Sequence, residues 1–223
     1  MDKSTWQSGA DFRRHPQRGI MYVENTGGYT FLLGGGPLSA NADETRAVLM
    51  AYQSVMTASW PTLHPEMAGR SQFWASASAE TLEAELQSYV AQASDPQGTV
   101  RLFWKIGPSF TFAGCNDQFA RDAGMPKGVL LGKDDFDPKL PWKHQAAKYR
   151  IDDESVVAAG TPKLDIIERQ RGTSGTITWV RAGKAPIRTA QAIIGILGMY
   201  EVLDDATGRR LFAEQSGRGR RPS

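Results

Sequence analysis

Three aspartates, Asp134, Asp135 and Asp137, stand almost side by side, and Asp152, Asp153 and Glu154 make a second acidic run. Carboxylates this close can hold a hard cation through oxygen if their side chains converge. The plainer use of aspartate near a turn or ahead of a helix is to accept free backbone N–H groups. That use is the expectation here, and no metal site is assigned. The single cysteine, Cys115, rules out an internal disulfide and a cysteine-built metal cluster. The lack of any possible internal disulfide favours a reducing, cytoplasmic setting, and Cys115 is expected to be packed rather than reactive. No Gly-x-Ser-x-Gly, His-Glu-x-x-His or phosphate-loop motif occurs, and the glycine run Gly34–Gly36 lacks the Lys-Ser/Thr pair that would make it one. No catalytic residue is assigned, and the chain is expected not to be an enzyme.

The bulk numbers agree with a soluble domain. Of 223 residues, 40% are hydrophobic and 22% charged, which supports a packed core and excludes disorder. Nowhere do eighteen apolar residues run together, and the segment from Met1 to Arg18 has no apolar stretch, so neither a membrane span nor a signal peptide is expected. The net charge of +2 gives no footprint for nucleic acid. Basic residues concentrate at the end, where Arg209, Arg210, Arg218, Arg220 and Arg221 face only Glu214; residues 206–223 are expected to be a basic, solvated tail.

The elements that must position these groups follow from periodicity. Residues 20–33 predict a hairpin around the turn formers Asn25–Gly28. Asp43 begins a helix to about Ser59 with Leu49, Tyr52, Met56 and Trp60 on one stripe, and Ser78 caps another that carries Leu82, Leu86, Tyr89 and Val90. From Val100 the pattern becomes α+β. Strands are predicted at 100–106 and 110–115, and short helices after Asn116 and Met125. A longer helix follows over 142–159, whose apolar stripe Asp153 interrupts, and three strands close the pattern at 163–170, 176–187 and 192–203.

That order, with Phe103-Trp104-Lys105, Gly114 to Ala120, Leu131 to Asp137, Pro141-Trp142 with Tyr149-Arg150, Gly160 to Lys163 and Gly195 to Glu201, resembles a bacterial sensory PAS module over residues 99–205. The resemblance implies an α+β PAS fold: a five-stranded antiparallel sheet with small helices and one longer helix, preceded here by an N-terminal hairpin and two helices. Residues 1–98 are read as a cap or dimerisation element, or as a small separate domain. Asp205-Ala206-Thr207-Gly208 only partly resembles the family's step into an output helix. Histidine on the long helix serves haem in some relatives; this chain has His144 at the helix start and Tyr149 further along, and Cys115 does not match the flavin-adduct pattern, so no cofactor is assigned.

The fold places a pocket between sheet and helices. Strand alternation and the helix stripe nominate Phe112, Phe119, Trp142, Tyr149, Ile166, Trp179, Leu197 and Met199 to line it. The implied function is a cytoplasmic sensory module, a homodimer. It would bind a small molecule or a signalling protein partner, not membrane or nucleic acid, and relay the change through dimer or helix rearrangement. The alternatives are a dimerisation module with a filled core, and a transcriptional regulator or enzyme subunit acting with another chain.

Overall fold

The computed structural model describes residues 11–14, 20–24, 29–32, 42–93, 99–171 and 175–218. Strands β1 (Asp11–Arg14), β2 (Ile20–Glu24) and β3 (Tyr29–Leu32) form a three-stranded antiparallel sheet. The predicted hairpin is its β2–β3 pair; β1 was not expected, and the turn at 25–28 lies outside the described residues, as do Gly34–Pro37 and Asp95–Gly98. Next come helices α1 (Ala42–Ser59), α2 (Arg70–Ser76) and α3 (Ala79–Gln92), the last capped by Ser78, whose side chain accepts from the Thr81 N–H.

Strands β4 (Val100–Ile106) and β5 (Thr111–Cys115) are followed by α4 (Asp117–Ala123), α5 (Lys127–Leu130) and α6 (Ala146–Ala159). Strands β6 (Lys163–Arg171), β7 (Ile177–Arg188) and β8 (Ile193–Leu203) complete a five-stranded sheet in the order β5-β4-β8-β7-β6, antiparallel throughout. The long helix starts later than predicted because Lys143–Gln145 form a 3-10 turn first. Trp142 therefore sits ahead of the helix. None of the described helices is long and apolar enough to cross a membrane.

The sheet is shared by two cores. On its outer face, Leu102, Trp104, Ile106, Ala185, Ile187, Leu197 and Met199 pack with the α1 stripe (Leu49, Tyr52, Val55, Met56) and with Leu82 and Leu86 of α3. On its inner face, Phe103, Phe112, Val180, Ala182, Ile196 and Tyr200 pack with Phe119, Leu140, Trp142, Tyr149 and Val156 of the other helical layer. Residues 42–93 thus share one hydrophobic core with the sheet.

Asn116 joins these layers. It is fully buried, and its Oδ1 accepts from the Phe119 N–H (3.0 Å), capping α4, and from the Leu102 N–H (3.1 Å) of β4. Its Nδ2 donates to the carbonyls of Ala93 (2.9 Å) and Val100 (3.0 Å), which ties the end of α3 to the sheet.

Residues 205–218 are mostly exposed, as the expected basic tail would be, but they are helical. They form helix α7 (Asp205–Arg218), capped by Asp204 Oδ1, which accepts from the Thr207 N–H, and supported by the i,i+4 pairs Asp205–Arg209 and Arg210–Glu214. Gly208 lies on the Trp179 ring, so close that a Cβ there would be 2.1 Å from it, and Phe212 packs against the same ring (5.3 Å). Composition missed the helix because its main anchors, Trp179 on β7 and the Asp165 and Ile167 main chain of β6, are distant in sequence.

Replacing Asn116 by alanine orphans four buried backbone groups at once, at about 1–3 kcal/mol for an unsatisfied group. The N116A protein is expected to lose at least about 3 kcal/mol in a urea unfolding titration, with a slope like that of the wild type.

Candidate functional site

The inner face carries more than apolar residues. Lys105 on β4 is 2% exposed, and its ammonium donates to Asp135 Oδ2 (2.5 Å) and Asp153 Oδ2 (2.7 Å). Lys184 on β7 donates to Asp153 Oδ1 (2.6 Å), and the Trp142 indole N–H donates to Asp135 Oδ1 (3.2 Å). Two lysines and two aspartates, all buried, form one network of zero net charge. Burial alone would lower the Lys105 ammonium, but Asp153 and Asp135 outweigh it and hold its pKa above the usual value. Burial alone would raise the Asp153 carboxyl, but Lys105 and Lys184 outweigh it and hold its pKa below the carboxylate range.

Local structure explains the placement. Lys105 and Lys184 both occupy inward positions, since Lys105 pairs with Ile196 and Lys184 with Gly198 across the ladders. Asp153 lies on the face of α6 that also buries Ala146, Tyr149 and Val156. Asp135 comes from the loop between α5 and the 3-10 turn, so the network fastens a loop and a helix to two strands.

Beside the network is a cavity of about 40 Å³, lined by Lys105, Lys184, Asp135, Glu168 and Gln170 at its polar side and by Phe103, Phe112, Phe119, Trp142, Tyr149 and Tyr200 elsewhere. Phe103 and Phe119 stack at 4.6 Å, and Phe119 leans on Trp142 at 5.4 Å. Gly198 permits this arrangement, because a Cβ there would meet Phe103 at 2.3 Å. The Tyr200 hydroxyl donates to Asp122 Oδ2 (2.7 Å) and accepts from Gln170 Nε2 (3.3 Å), and the Tyr149 hydroxyl donates to Gln145 (3.2 Å).

Of the eight residues nominated from sequence, Phe112, Phe119, Trp142, Tyr149 and Met199 border this cavity, and Ile166 packs against the inner-face core without lining it. Trp179, Leu197 and Met199 have the other parity. Leu197 and Met199 pack in the outer core, Met199 also bordering the cavity, and Trp179 packs against Phe212 of α7. In β8 both faces are buried, so the apolar run from Ile193 to Tyr200 carries no alternation from which to read a parity.

Sequence reasoning missed Lys105, Lys184 and the role of Asp153. Their signal was a charged residue interrupting an apolar stripe on each of three elements. Asp134 and Asp137 do act in turns, accepting from the Phe136 and Lys139 N–H groups, and Asp137 also pairs with Lys133. Among the described residues no three metal-ligating side chains come together. His144 is exposed and lies off the cavity. Cys115 is 5% exposed, and burial pushes its thiol up to about 12, which leaves little thiolate.

Lys105→Met leaves Asp135 and Asp153 buried with Lys184 as their one cation, and is expected to cost about 3–5 kcal/mol in denaturant unfolding. The depressed Asp153 pKa gives stability that is present above the unfolded carboxyl value near 4 and drains as pH falls through the lower folded value. The raised Lys105 pKa gives stability present below about 10.4 and lost as pH rises through the higher folded value. Thermal unfolding followed from pH 2 to 6 should show an acid limb in the wild type that Asp153→Asn flattens.

No family profile and no curated protein matches the chain. Among solved structures, the chain is similar to VqmA of Vibrio cholerae (19% identity, 53% of this chain and 52% of that one, TM-score 0.46). It is also similar to a phage VqmA in complex with DPO (19%, 62% and 62%, 0.47) and to a PAS domain from Colwellia psychrerythraea (16%, 53% and 97%, 0.42). The match spans between half and two thirds of the VqmA chains. Two strands, small helices, a longer helix and three further strands, folded as one antiparallel five-stranded sheet, make residues 100–203 a PAS-like domain.

Proposed function

We propose that this chain is a sensory module that binds a small molecule in the inner-face cavity and passes the change to α7. The observation that carries the reading is the ion network in the cavity wall. Buried ion pairs are seldom worth more than well-packed apolar residues of the same volume, so four buried charges beside a cavity are better explained by recognition than by stability.

The cavity's walls belong to different elements, which gives binding a mechanical consequence. Asp135 and Asp153 hold the loop and α6 against the lysines of β4 and β7. A cavity of about 40 Å³ accepts three or four waters at about 10–15 Å³ each. A larger molecule enters only by moving these walls apart. The outer side of β7 carries Gly183, against which Val55 of α1 rests, and Trp179, on which α7 rests. α7 is mostly exposed and is held by Gly208 and Phe212 on Trp179, by Asp205 Oδ1, which accepts from the Trp179 indole N–H (3.0 Å), and by Gln215, which donates to the Asp165 carbonyl (2.8 Å) and accepts from the Ile167 N–H (3.3 Å). An element with so few anchors is cheap to release. The free energy for the response is the difference in ligand affinity between the two arrangements, so no turnover is required.

A second reading is favoured by the small cavity itself: an interaction module whose interior is already filled. Native mass spectrometry on freshly purified protein separates the two. The sensory reading expects a small added mass that denaturation removes; a bare chain at an integral dimer mass supports the filled module. The proposed output is checked by Trp179→Ala, which is expected to speed amide exchange across 205–218 by at least about tenfold while β4 and β8 keep their protection.

A further inference from the structure

Three ammonium N–H groups of the network have no hydrogen-bond acceptor among the described residues, one on Lys105 and two on Lys184. Lys105 spends two of its three N–H groups on Asp135 and Asp153, and its ammonium lies 5.1 Å from the Phe112 ring centre. Lys184 spends one, on Asp153 Oδ1, and its ammonium lies 5.9 Å from the Tyr149 ring centre; among the described residues it has no other hydrogen bond, yet its side chain is 6% exposed and lines the cavity. A buried ammonium with two unmatched donors needs an acceptor.

We propose that the cavity admits uncharged molecules carrying a carbonyl oxygen or ring nitrogen, which accepts from Lys184 Nζ, and turns away anions of the same shape. This deepens, and rests on, the reading of the cavity as a ligand site. The charge count decides the class. Lys105 and Lys184 are already balanced by Asp135 and Asp153, so an entering carboxylate or phosphate would be left as an uncompensated charge, the costliest group to bury. A cation fares no better. All four oxygens of the two aspartates already accept a hydrogen bond, and Glu168 is paired with Lys148. A neutral acceptor satisfies Lys184 without altering the balance. The aromatic walls suit a flat group, which can meet Phe103, Phe119 and Trp142 by face or edge.

The test compares matched probes on the full chain at pH 7 and fixed ionic strength: nicotinamide against nicotinate, and acetamide against acetate, followed by the amide and indole signals in two-dimensional NMR. The amides are expected to shift the signals of residues 182–184 and the Trp142 indole saturably and to bind at least about tenfold tighter than the acids. Lys184→Met should erase that preference; the wild-type comparison stands without it if the variant does not fold. Acids that bind as tightly as the amides, or tighter, overturn the charge rule and leave a ligand site in place. Saturation by none of the four probes overturns both the rule and the reading of the cavity as a ligand site.

Discussion

Asp153 is the constraint around which the inner half of this domain is arranged. A carboxylate with no exposed surface is tolerable only if its charge is matched and its oxygens are occupied. Lys105 and Lys184 do both, from two different strands. Because the lysines are themselves buried, Asp135 must come in from a loop to balance the second charge, and the Trp142 indole must turn toward it. The position of α6, the path of the loop after α5 and the tilt of the aromatic layer are thus consequences of one charge-balance problem.

The outer half solves a different problem by different means. There the sheet meets α1 and α3 through apolar side chains, with Arg181 reaching the Ser59 carbonyl at the end of α1, and Asn116 serves a helix cap, a strand and the end of α3 with one side chain. The two halves meet in strands buried on both faces. Lys184 looks inward while its neighbours Gly183 and Ala185 look toward α1. A shift of β7 at the cavity cannot be absorbed on one side alone in an interior packed at crystal-like density.

Much of this was legible from the sequence because local signals and the global fold agree: the α1 stripe, the Ser78 and Asn116 caps and the strand order all read correctly. The failures have physical causes. Parity in β8 was unreadable because glycines and a doubly buried run erase alternation, which misplaced Leu197 and hid that Met199 reaches the cavity from the outer core; in β7 the wrong inward residue, Trp179, was chosen over Lys184. A large aromatic looks like a pocket residue and a lysine looks like a surface one, unless its counter-charge 31 positions away is already known. Asp153 was noticed only as a break in a stripe. Long-range charge pairing leaves no periodic trace, and α7 was hidden in the same way by its dependence on Trp179.

The most direct measurement is the pH titration of the Asp153 side-chain carboxyl carbon by NMR. The account predicts a carboxylate that stays ionised below the ordinary value near 4, with the Lys105 and Lys184 signals shifting together with it when it finally protonates. A carboxyl that titrates at or above that value would mean the network is not ionised as drawn. The charge balance of the cavity, and the choice of ligand that follows from it, would then be wrong.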